Sequence, residues 1–96
     1  MSSRLKATGI AWYKSEDYDR LRQLFSDGEN LPDTYAEWLS KAQNLFDQLV
    51  GEGLTVEKVY INPETFPGWC AVRGLDINSK ARVRFANESV YRQYRE

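Results

Sequence analysis

The feature that most constrains the fold is one long amphipathic helix in the middle of the chain. Thr34 and Glu37 are spaced as a capping box, in which each side chain satisfies a backbone N–H that the first helical turn leaves without a partner. Apolar residues then recur at helical spacing as far as Val50, and Gly51 and Gly53 end the pattern. Because so wide an apolar stripe belongs in a core, the other elements are expected to pack against this helix.

Short apolar segments before and after this helix predict two strands. Residues 7–13 place Ile10 and Trp12 on one face and the small residues Ala7, Gly9 and Ala11 on the other, which lets a helix lie close to the backbone. Residues 54–61 are rich in Val, Tyr and Ile and end at an Asn-Pro pair. If the two strands are neighbours, the helical connection between them is long enough for a parallel crossover.

The remaining segments complete a single predicted domain over residues 1–96. One helix is expected from Ser15 to a stop at Gly28, a short apolar group closes at Gly74, and a last helix runs from Asn78 to Tyr94. The fold class is therefore α+β, with a small two-stranded sheet in β-α-α-β-α-α order packed with helices. Because two strands make a weak sheet, we expect helices to cover its edges or dimerisation to extend it.

The composition excludes several kinds of active site. The chain has no histidine, and Cys70 is its one cysteine. These absences exclude histidine-based catalytic triads, histidine-ligated metals, internal disulfides and cysteine-based zinc clusters. No phosphate-binding or calcium-binding loop motif occurs either. We therefore predict no catalytic residue, no cofactor, no metal, no membrane segment and a cytoplasmic location.

Charge is distributed unevenly although the formal net charge is only -1. Residues 15–57 contain ten acidic and three basic residues, whereas residues 73–96 contain six basic and three acidic residues. The last helix is expected to present a basic surface stripe formed by Lys80, Arg84, Arg92 and Arg95. Its core face is expected to consist of Val83, Ala86, Val90 and Tyr94.

Two apolar residues of the last helix are predicted to lie on or beside the basic stripe rather than in the core. These residues are Ala81 and Phe85. An exposed Phe85 flanked by arginines would insert into a partner protein or stack on a nucleic-acid base. A solvated basic face that complements the acidic first half of the chain is the structural alternative.

A second candidate site is a pocket at Trp69, Cys70 and Arg73. Arg73 lies three residues after Cys70 and so would share its helical face, where its charge would favour a reactive thiolate and could hold an anion. The alternative is that Trp69 and Cys70 belong to the core, since free cysteines are usually buried and inert.

Three segments of the chain resemble a group of short uncharacterised bacterial proteins. They read AWY at residues 11–13, LPDTYAEWL at 31–39 and WCAVRGL at 69–75. The resemblance covers nearly the whole length. It implies a stand-alone bacterial domain and brings no activity or site with it.

Three functional hypotheses follow. The first is a non-enzymatic protein-interaction or regulatory module, homodimeric or bound to another protein through the last helix around Phe85. The second is a nucleic-acid-binding accessory protein that uses the basic stripe. The third, and the least favoured, is a small-molecule binder or enzyme built around Cys70 and Arg73.

Overall fold

A computed structural model describes residues 7–94 of the chain. It confirms the predicted α+β fold and the order of its elements. The strands are β1 (Ala7–Trp12) and β2 (Thr55–Tyr60). The helices are α1 (Tyr18–Leu24), α2 (Tyr35–Gly51), α3 (Phe66–Val72) and α4 (Ser79–Tyr94), and short 3-10 turns precede α1 and α2. No helix within residues 7–94 is long and apolar enough to cross a membrane.

The two strands pair in parallel, in register from Ala7 opposite Thr55 to Trp12 opposite Tyr60. The pairing continues one residue further, because the N–H of Ile61 donates to the carbonyl of Trp12 at 3.0 Å. Parallel neighbours cannot be joined by a tight turn, so α1 and α2 form the crossover between them. The carboxyl ends of both strands therefore lie at the same edge of the sheet.

Helix α2 begins where the capping box predicts. The Thr34 hydroxyl accepts a hydrogen bond from the N–H of Glu37 at 3.1 Å. The Glu37 carboxylate in turn accepts a hydrogen bond from the Thr34 hydroxyl at 3.3 Å, a partner that the predicted box did not include. The helix starts one residue after its cap and runs for 17 residues.

Aromatic rings join α2 to the sheet and to α1. The Trp38 ring centroid lies 4.6 Å from that of Tyr13, 5.1 Å from that of Trp12 and 6.0 Å from that of Tyr18. All four side chains are buried. Rings of this size bury the most apolar surface per residue, so this cluster is the main source of core stability.

The other face of the sheet is covered at very short range by α4. A Cβ placed on Gly9 would lie 2.5 Å from the carbonyl oxygen of Ala86 and 2.8 Å from a methyl group of Val90. The N–H of Gly9 also donates to the side chain of Asn87 at 3.4 Å. The predicted close approach of a helix to the small-residue face of β1 is confirmed, and α4 is that helix.

The predicted orientation of α4 about its own axis is wrong. Val83, expected in the core, is 58% exposed, whereas Ala81, expected on the surface, is buried. Phe85 is half-buried rather than exposed and packs against Phe66 at 5.4 Å between ring centroids. Ala86 and Val90 are buried as predicted. Of the remaining predictions for α4, Arg95 and the side chain of Tyr94 lie outside the described residues.

The packed face of α4 also contains a buried arginine, which the sequence pattern did not place there. Arg82 is only 7% exposed, and its two terminal nitrogens donate to the two carboxylate oxygens of Asp27 at 2.8 and 2.9 Å. Its guanidinium carbon lies 4.3 Å from the centroid of the Phe25 ring. A helical-wheel analysis assigns such a charge to solvent, but a bidentate ion pair allows it to be buried.

Helix α1 is shorter than predicted. The backbone turns extended at Phe25, with φ -72° and ψ 132°, so the helix ends before the expected stop at Gly28. Gly28 instead packs so closely against the carbonyl of Arg22 that a Cβ would overlap it. The loop that follows α1 thus folds back on the helix and places Asp27 beside α4.

Candidate functional site

Of the three predicted pocket residues, Cys70 is buried, whereas Trp69 and Arg73 lie at the surface. Helix α3 starts with Phe66 and Pro67, where a proline costs no hydrogen bond. Phe66 and Cys70, one turn apart, form its buried face. Burial raises the pKa of the Cys70 thiol, and the charge of Arg73 opposes this only in part. Cys70 is therefore a core residue, as the alternative interpretation held, and its environment disfavours the reactive thiolate.

Arg73 is held on the surface of α3 by an aromatic platform. Its guanidinium carbon lies 4.1 Å from the centroid of the Trp69 ring, and one terminal nitrogen donates to the Trp69 carbonyl at 3.1 Å. The Trp69 ring stacks on Phe66 with centroids 5.7 Å apart and meets the Phe85 ring edge-on at 5.1 Å. Since Phe85 belongs to α4, the platform joins the two helices and places Arg73 beside α4.

A glutamate of α4 lies among three arginines. The Arg84 Nε donates to the Glu88 carboxylate at 2.7 Å. This hydrogen bond lowers the pKa of Glu88 below its ordinary value, and the charges of Arg84, Arg73 and Arg92 act in the same direction. Arg92 lies one helical turn beyond Glu88. We call Arg73, Arg84 and Arg92, together with the central Glu88, the arginine surface.

Exposed apolar side chains border the arginine surface. Val72, which precedes Arg73, is 84% exposed, and Tyr91, which precedes Arg92, is 69% exposed. These are the two most exposed large hydrophobic residues in the described part of the chain. The site therefore offers both excess positive charge and apolar contact area.

Two other residues of the predicted basic stripe are not next to Glu88 or lie outside the described residues. Lys80 is exposed and lies one turn before Arg84, but it is two turns before Glu88 and about 80° around the helix from it. Arg95 lies outside the described residues. The Trp69–Phe85 contact thus places Arg73 of the predicted pocket beside the helix that carries Arg84 and Arg92, a link between the two candidate sites that the sequence did not indicate.

No family model, curated protein or solved structure matches the chain. The resemblance to short bacterial proteins stays a prediction, and the site has to be interpreted from its own geometry.

A second surface feature lies at the carboxyl ends of the two strands. It is an open groove of about 510 Å³ between the turn that precedes α1 and the segment after β2. Its charged lining is mixed, and Arg20 and Glu64 already pair across it at 3.5 Å. Within residues 7–94 no group of three or more carboxylate or thiol side chains is placed to hold a metal ion. Because its charges are exposed and of both signs, the groove indicates no particular ligand.

Glu88 at the centre of the arginine surface and Tyr91 beside it were not among the residues predicted for the site. The spacing of Arg84, Glu88 and Arg92 at successive helical turns was a visible signal of a local charge cluster. The exposure of Tyr91 was not visible, because it depends on how α4 packs against the rest of the chain.

Proposed function

We propose that this chain is a non-enzymatic protein-interaction module that binds an acidic segment of a partner protein through the arginine surface. The observation that carries the proposal is the charge count at the site. The Arg84 guanidinium donates to the Glu88 carboxylate. The charges of two further arginines act on the same carboxylate, so positive charge at the site exceeds negative charge by two. Excess arginine charge held on an aromatic platform is suited to carboxylates, which guanidinium groups bind in a bidentate manner.

The border of the site supports a protein partner over a nucleic acid. Protein interfaces are enriched in arginine and tyrosine and combine apolar contact with a charged rim. Val72 and Tyr91, each next in sequence to one of the arginines, provide that apolar contact. The net charge of -1 also gives the chain no strong overall attraction for a polyanion.

The position of Cys70 supports a binding role over the enzymatic alternative. The thiol is fully buried, and its pKa is raised. A nucleophile in that environment is mostly protonated and out of reach of substrate. Homodimerisation, a bacterial origin and a cytoplasmic location stay predictions.

A peptide-binding measurement tests the proposal. A fluorescein-labelled peptide of alternating glutamate and glycine is titrated with the wild type, Arg73→Gln, Arg92→Gln and Lys80→Gln, and its anisotropy is followed. Each arginine variant is expected to weaken binding roughly fivefold, because each removes charge-assisted hydrogen bonds to the peptide. Lys80→Gln removes the same charge from α4 away from Glu88, so it should change binding less than about twofold.

Two outcomes would contradict the proposal. In one, the wild type does not bind the peptide, or Lys80→Gln weakens binding as much as the arginine variants do. In the other, a single-stranded oligouridine RNA binds more tightly than the peptide and its affinity falls steeply with salt, which would favour the nucleic-acid hypothesis.

A further inference from the structure

Glu88 occupies the place that an anionic ligand would take on the arginine surface. Its carboxylate accepts the Arg84 hydrogen bond at 2.7 Å, and the neighbouring positive charges lower its pKa. One carboxylate neutralises only one of the three guanidinium charges. The carboxylate of Glu88 therefore acts as an internal anion at the site, but its single negative charge is smaller than the positive charge of the three arginines.

The arginines retain donors for a more highly charged ligand. Arg73 uses one terminal nitrogen for the Trp69 carbonyl, and Arg84 uses only its Nε for Glu88. Within residues 7–94, Arg92 makes no hydrogen bond through its guanidinium group. Each guanidinium group has five N–H donors, so several remain available on the same surface.

We infer that the arginine surface selects a phosphorylated side chain of its protein partner, which displaces Glu88. The inference rests on the proposed function and names the chemical class of the residue recognised. A phosphoryl group carries about -1.5 to -2 charges at pH 7 and three acceptor oxygens, which matches three guanidinium groups better than a carboxylate does. Displacement is easy because an exposed ion pair between residues one turn apart contributes little stability.

Glu88 then acts as an internal competitor that keeps singly charged ligands weak. A partner carboxylate only replaces one carboxylate by another. A phosphoryl group carries more negative charge and more acceptor oxygens than the Glu88 carboxylate, so replacing Glu88 by it strengthens binding to the arginines. Preference for the phosphorylated form of a segment follows from the presence of Glu88 among Arg73, Arg84 and Arg92.

The test compares two fluorescein-labelled peptides that differ only in one central residue, serine or phosphoserine, within the same glutamate-glycine sequence. The wild type is expected to bind the phosphoserine peptide roughly tenfold more tightly. Glu88→Gln should tighten binding of that peptide by roughly threefold, because the competitor is removed. Glu52→Gln, which removes an exposed acid at the end of α2, is the control for net charge and should change binding much less.

A third variant checks the inference with Glu88 intact. Arg73→Gln should reduce the phosphoserine preference from roughly tenfold to roughly threefold, because one of the three guanidinium groups is lost. Equal affinities of the wild type for the two peptides would overturn the inference and leave the proposed function standing. So would a Glu88→Gln variant that behaves like Glu52→Gln. Failure of both peptides to bind would instead overturn the proposed function.

Discussion

Arg82 and Arg84 lie two residues apart on α4 and have opposite environments. Arg82 is buried, and its terminal nitrogens meet both carboxylate oxygens of Asp27. Arg84 is half-exposed and makes one hydrogen bond, to Glu88, a carboxylate also within the influence of two other arginines. Arg82 therefore has Asp27 as its own counter-charge, whereas Arg84 shares the carboxylate of Glu88 with other arginines.

The difference shows that an arginine whose charge is fully matched by a carboxylate stabilises the fold, whereas an arginine whose charge is only partly matched can bind an external anion. A buried charge without a partner costs several kcal/mol, so it persists in a fold only where a counter-charge matches it. An exposed charge is solvated by water and tolerates an incomplete match. The incomplete match of the arginine surface is what leaves it able to bind an anion.

The largest expected effect comes from breaking the buried pair. Arg82→Ala leaves Asp27 without its partner and removes the packing on Phe25, which we expect to lower the free energy of unfolding by about 3 kcal/mol. The matched variant Arg84→Ala should leave the urea midpoint unchanged within error, because its partner is solvated. Urea denaturation followed by tryptophan fluorescence measures both. Similar losses for the two variants would mean that burial does not distinguish these arginines.

A smaller effect is expected in the pH dependence of stability. The Arg82 hydrogen bond lowers the pKa of Asp27 in the folded state, so the unfolded chain binds the proton more tightly. The stabilisation is therefore complete above the ordinary pKa of about 4 and is lost as the pH falls through the lowered pKa. Asp27→Asn should be less stable than the wild type at pH 7, and the gap should narrow at pH 3. A gap of constant size in urea denaturation at both pH values would contradict the assigned ion pair.

Patterns of local origin were predicted from the sequence, and they account for most of the fold. The capping box at Thr34, the two strand segments and the small-residue face at Gly9 are each visible in residues close together in the chain. Arg82 could not be placed, because its partner is 55 residues away and the helical pattern assigns charges to solvent. Val83, the next residue, is exposed although the same helical pattern assigns it to the core.

The candidate site was predicted only in part for the same physical reason. Arg84 and Arg92 follow from the spacing along α4, but Arg73 lies beside α4 only because its platform residue Trp69 packs against Phe85. That contact joins two helices, so the pattern of apolar residues within either helix cannot predict it. The buried position of Cys70 agreed with the general tendency of free cysteines.

The most direct test of the account is a nuclear magnetic resonance titration that observes both environments in one spectrum. The three tryptophans report separately, because Trp69 lies beneath the arginine surface, whereas Trp12 and Trp38 lie in the core. On addition of the phosphoserine peptide, the account predicts that the Trp69 indole N–H signal moves and that the signals of Trp12 and Trp38 stay in place. A titration in which the peptide binds but moves the core tryptophans and leaves Trp69 unchanged would contradict it.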